Sequence, residues 1–112
     1  MLNRSAIVVK PRQPFLDWLY SADPTSHRLT LRDLTRDPTI YLIPECDTEE
    51  DVHEVLRELC EEIFVEQLAG RFRDEATWPR DLGFDVFSRW FGFQHHSMLV
   101  DLSDEPLIDE LD

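Results

Sequence analysis

The hydrophobic positions fall into short runs with two different periods. Ala6-Ile7-Val8-Val9 is an apolar, β-branched run, which reads as a buried strand ended by Pro11. Pro14 suits the first turn of a helix. Phe15, Trp18 and Leu19 then recur at i, i+3 and i+4 and give that helix, reaching about Ala22, one inward face. Asp23-Pro24 terminates it. Thr30-Leu31-Arg32-Asp33 has capping-box spacing with Asp in place of the usual Glu, and predicts one or two helical turns before Asp37-Pro38. Thr39-Ile40-Tyr41-Leu42-Ile43 is a second strand, apolar on both faces as a covered position requires, and Pro44 closes it.

The longest periodic element runs from about Thr48 to Phe72. Its first residues, Asp47-Thr48-Glu49-Glu50-Asp51, supply N-cap candidates and first-turn acids that suit the helix dipole. At 100° per residue Val52, Val55, Leu56, Leu59 and Ile63 share one stripe, and Glu50, Asp51, Glu54, Glu58, Glu61 and Glu62 share the opposite arc. Beyond Glu62 the pattern breaks, because Phe64, Val65 and Leu68 turn onto the acidic side. Something must cover them, either the next helix or another chain, which leaves a homodimer open. Arg73 to Gly83 is a loop, with Asp81 able to cap a third helix bearing Phe84, Phe87 and Phe91 and ending near Gly92. His96 to Leu102 reads as the third strand. The predicted fold is α+β or α/β, in two layers: a three-stranded open sheet covered by helices, in the order β-α-β-α-α-β. Residues 1–112 make one domain, with residues 103–112 as a loosely held acidic tail.

Composition sharpens this picture mainly through charge. The 112 residues are 42% hydrophobic and 31% charged, in keeping with a globular chain, and carry a formal net charge of −13. The charge is concentrated: residues 45–66 hold ten acids against Arg57 alone, and residues 101–112 hold six acids and no base. Such a balance argues against direct nucleic-acid binding and against anionic membranes. With no signal peptide or membrane-spanning run in view, the expected location is cytoplasmic.

Candidate chemistry is sparse. Glu50-x-x-His53 matches one half of a di-iron helix motif, but such sites need a second copy and further Glu residues. His95 and His96 are adjacent, so on a strand they point to opposite faces. Cys46 and Cys60 lack Cys-x-x-Cys spacing, and thirteen intervening residues part them along a helix axis, which disfavours a bridge. No Ser lies in a Gly-x-Ser-x-Gly elbow, and three glycines cannot build a phosphate loop. No cofactor or metal is expected. Trp78, beside Pro79 in a loop, reads as a lid on the core or as an exposed contact. If the first two strands run parallel, Arg12 and Glu45 meet at one sheet edge, and an antiparallel third strand adds His96. That edge would be a strand-end ligand site.

Lys10-Pro-Arg-Gln-Pro-Phe-Leu-Asp-Trp18, Tyr41-Leu-Ile-Pro-Glu45, Trp90-Phe91 and His96-Ser-Met98 before Asp101-Leu102 together resemble a family of small acidic bacterial proteins with no assigned activity. The resemblance spans nearly the whole chain and implies a free-standing bacterial domain. It carries no catalytic residues. The expectation is therefore a non-enzymatic interaction protein that engages a basic protein partner through its acidic helix and tail. Its candidate surface is Glu50, Glu54, Glu58, Glu61, Glu62, Phe64, Leu68 and Trp78. An enzyme using Arg12, Glu45 and His96 is the alternative, and a nucleic-acid mimic is the third reading.

Overall fold

The computed structural model describes residues 2–109. Three strands, β1 (Arg4–Pro11), β2 (Thr39–Pro44) and β3 (Phe91–His96), form one open sheet in the order β2-β1-β3. Four α-helices accompany it: α1 (Gln13–Ala22), α2 (Leu31–Thr35), α3 (Glu49–Ala69) and α4 (Phe84–Trp90), with short 3-10 turns at Pro24–Arg28 and Glu75–Thr77. Both strand pairs are antiparallel, so the architecture is α+β. No helix among the described residues is long and apolar enough to cross a membrane.

β1 is central, with β2 on one side and β3 on the other. Ser5, Ile7 and Val9 point into the helix layer and are at most 1% exposed. On β2 the same face carries Ile43, buried, and Tyr41, half-buried, while Ile40 and Leu42 emerge on the opposite face. On β2 this is the period-2 alternation of a strand packed on one side only, whereas on β1 Ala6, of the opposite face, is buried as well. The expected covering of both faces of β2 is corrected: one face is covered, and the strand lies at an edge.

The third strand also differs from expectation. It occupies residues 91–96 rather than 96–102, and α4 passes into it with no loop, since Phe91 caps the helix and opens the strand. Register explains this. Pro11 pairs with Phe91 and Ala6 with His96, so β1 is matched by the residues that immediately follow α4. Gly92 belongs to the strand rather than to a helix end. A Cβ there would stand 3.3 Å from Arg12 Nε, so glycine gives the Arg12 side chain room to cross β3. Beyond His96 the chain leaves the sheet, with one tie where the Leu2 N–H donates to the Leu99 carbonyl at 2.8 Å. Residues 97–109 have no helix or strand, and Met98, Val100 and Leu102 are exposed. Residues 110–112 of the expected acidic tail lie outside the described residues.

The helices meet over an aromatic core. Phe15, Phe64, Phe87 and Phe91 are fully buried. Phe64 lies 5.2 Å from Phe91 and 5.3 Å from Trp90 between ring centroids, and 6.2 Å from Phe87. Trp18 closes the other side, its indole N–H donating to the Thr77 carbonyl at 2.8 Å. Tilted and edge-on pairs of this kind add to plain area burial.

Candidate interaction surface

α3 begins where its sequence demands. Thr48 Oγ accepts from the Asp51 N–H at 3.1 Å, and the Asp51 carboxylate accepts from the Thr48 and Asp47 N–H groups at 3.3 and 3.2 Å. This capping box satisfies orphan donors of the first turn and fixes the rotation of the helix at its start. Val52, Leu56, Cys60 and Ile63 consequently turn inward and are at most 4% exposed. Glu50, Glu54, Glu58, Glu61 and Glu62 turn outward and are all exposed. Glu50, Glu54, Glu58 and Glu62 follow at i+4 intervals, a row of carboxylates about 6 Å apart along the axis.

Among the described residues no cation forms an ion pair with that row. The sole ion pair among the described residues joins Arg36 to Asp33 at 3.2 Å, far from α3 in sequence and within one turn of α2. Arg57, the one base in this stretch, places its guanidinium carbon 5.2 Å from the Phe84 ring centroid and so addresses the start of α4. The acidic face is unpaired within the described chain.

Phe64 and Leu68 are not part of this surface. Both are fully buried, because α4 packs its Phe87 and Trp90 against Phe64. The apolar residues that break the pattern of α3 are covered from within the chain. Trp78 is half-buried against the core, and its indole N–H donates to the Phe72 carbonyl at 2.9 Å. That contact makes it a lid.

The expected strand-end site does not assemble. Antiparallel pairing places Arg4 opposite Pro44 and Val9 opposite Thr39, so Glu45 follows β2 at one end of the sheet while Arg12 follows β1 at the other. His96, opposite Ala6, lies toward the Glu45 end. The parallel crossover on which the site depended would need β2 reversed.

A cleft between the first turns of α3 and the edge of β3 brings together His53 and His95, which the sequence offered only separately. It has a volume of about 400 Å³ and is lined by Glu49, Val52, His53, Phe93, Gln94 and His95. His53 stands edge-on to Phe84 and Phe93, with centroids 5.9 and 5.7 Å away. His95 Nε2 is buried without a hydrogen-bond partner among the described residues. These side chains form no metal-binding group of three among the described residues. Only the register of β3, hidden in the sequence, puts His95 opposite Ile7 and near α3.

Both thiols are buried and free. Burial pushes the Cys46 thiol up, and the carboxylates of Asp51 and Asp47 push it further the same way; burial likewise raises Cys60. Neither is an activated nucleophile. Tyr41 is a third group with a raised pKa. Its phenol is held well above the ordinary value, first by burial, against the opposing pull of a hydrogen bond from Gln67, and then by the nearby Glu66 carboxylate, to which it donates at 3.0 Å. No family model, curated protein or solved structure matches the chain.

Proposed function

We infer that this is a non-enzymatic interaction protein whose acidic α3 face engages a basic surface on a protein partner. One observation carries the reading: five exposed glutamates stand along one side of α3 with no cation paired to any of them among the described residues. Like charges at i+4 spacing destabilise a helix slightly. Here the capping box and the buried opposite stripe hold the helix despite that repulsion, and a cationic partner would relieve it. Elsewhere the thiols are buried, the Arg12, Glu45 and His96 edge is dispersed, and the cleft of His53 and His95 holds no metal-binding group of three among the described residues.

The test is capture from a lysate by the full chain and by its Glu54→Gln/Glu58→Gln/Glu61→Gln variant, across a salt series. Retention of a protein with a basic surface by the parent chain, lost with rising salt and weakened in the variant, supports the reading. Identical retention by both chains at every salt concentration leaves the face merely solvated.

A further inference from the structure

The sheet order leaves β2 with a neighbour on one side only. Alternate backbone N–H and C=O groups of an antiparallel edge strand point away from the sheet, ready for another strand. None of the main-chain groups of residues 39–43 bonds outside the β1–β2 ladder among the described residues. Edges are usually guarded by a charge, a proline or a bulge. β2 has prolines only at its ends, Pro38 just before it and Pro44 as its last residue, and Thr39–Ile43 between them has neither charge nor proline, with Ile40 and Leu42 61% and 49% exposed.

The two sides of this edge differ in chemistry. On one, Ile40 and Leu42 offer apolar surface. On the other, a groove of about 210 Å³ runs between β2 and α3, walled by Tyr41, Leu59, Glu62, Ile63 and Glu66. Glu62 and Glu66 are exposed and take part in no ion pair among the described residues. Asp37 and Asp109 border the adjoining recesses, where Arg71 is the one base. An occupant must therefore be extended, apolar on its outer-face side chains and cationic on those that face α3. A second copy fits poorly, because pairing two β2 strands about a two-fold would set Glu62 and Glu66 against their own copies. The chain's own tail fits poorly for the same reason. Leu107 and Ile108 reach the recess beside Ile40 and Leu42 without joining the sheet, and Asp109 follows them.

We propose that the outer edge of β2 docks an extended basic segment of the partner, which adds a fourth strand with apolar side chains beside Ile40 and Leu42 and Lys or Arg side chains against Glu62 and Glu66. Main-chain hydrogen bonds supply affinity in this mode, and the alternate side chains supply specificity. The proposal rests on the reading of α3 as an acidic docking face, and it names the chemistry of what docks there.

The test uses the full chain and a labelled eight-residue peptide of alternating Val and Lys, with binding followed by fluorescence anisotropy at low salt. Three companions have the same residues: one in block order, and two N-methylated on one alternate set of amides or on the other. The alternating peptide binds, and the block-order peptide binds about tenfold more weakly or worse, as does whichever N-methylated peptide loses its edge-facing donors. The Ile40→Lys/Leu42→Lys variant, altered only at exposed positions, loses a similar factor, whereas Glu54→Gln/Glu58→Gln/Glu61→Gln loses less. Equal binding of all four peptides, sensitive chiefly to the glutamine variant, overturns the edge site and leaves the acidic-face reading intact. Failure of every basic peptide to bind overturns both. A wild-type dimer abolished by Ile40→Lys/Leu42→Lys overturns the proposal in favour of a second copy. Peptide binding that appears only after removal of residues 103–112 overturns it in favour of the tail.

Discussion

The two ends of α3 solve opposite problems with one helix. Over its first four turns the helix is two-sided: Val52, Leu56 and Cys60 are buried while Glu50, Glu54 and Glu58 are exposed. In the last turns Phe64 and Leu68 are buried on what had been the acidic side. The difference is the neighbour. α4 runs beside both halves, with Phe84 next to His53 and Arg57 and with Phe87 and Trp90 on Phe64; in the second half it covers the side that the acids hold earlier, whereas Glu54 and Glu58 stay exposed. An apolar residue that interrupts an acidic stripe therefore marks where the chain folds back on itself, and the uninterrupted stretch marks what is left for a partner.

Substitutions at the two ends should separate by size of effect. Phe64→Ala opens a cavity at the centre of the aromatic cluster and should cost about 3–5 kcal/mol, read from the denaturation midpoint. Since a domain of this size is stable by only about 5–15 kcal/mol, that one change takes a large part of the total. A loss below about 1 kcal/mol would show that α4 does not seal the second half of α3. At the other end, Thr48→Ala removes the cap that sets the helix rotation and should cost about 1 kcal/mol.

A pH profile examines the strand that α3 covers. Tyr41, Cys46 and Cys60 all have raised pKa values, so the folded state favours their protonated forms. For groups raised on folding, the stabilisation is full below the unfolded pKa and is lost as pH climbs past it. Stability should therefore decline as pH rises beyond about 9–10, the ordinary thiol and phenol range. Tyr41→Phe should flatten the upper part of that decline, as followed by urea midpoints across the series. An unchanged slope would mean that Tyr41 ionises freely in the folded chain. Smallest of all, Glu54→Gln/Glu58→Gln/Glu61→Gln should leave stability equal or slightly higher, within about 0.5 kcal/mol per site, because it removes like-charge repulsion from a solvated face.

The periodic elements were legible in the sequence. The capping box at Thr30 and Asp33 forms as spaced, with the Thr30 N–H donating to Asp33 Oδ2 at 2.8 Å. α3 is capped by Thr48, one of its N-cap candidates, and ends at Ala69 rather than near Phe72, and its first four turns face as the pattern required. Strand direction was not legible, because Ala6–Val9 and Thr39–Ile43 carry no mark of parallel or antiparallel pairing. That one ambiguity dispersed Arg12, Glu45 and His96. The third strand was hidden by the junction at Trp90-Phe91, where no turn residue separates helix from strand, and by the alternating Met98, Val100 and Leu102, which have strand chemistry but no strand beside them. The His53 and His95 cleft follows from that same register and left no local signal.

The most direct measurement of the central claim is the association rate of the full chain with a lysine-rich probe protein, taken across a salt series for the parent and for Glu54→Gln/Glu58→Gln/Glu61→Gln. Electrostatic steering by the open half of α3 predicts that the parent rate falls about tenfold or more between roughly 0.02 and 0.2 M salt, and that the variant starts lower and falls less steeply. Equal rates and equal salt dependence for the two chains would contradict it.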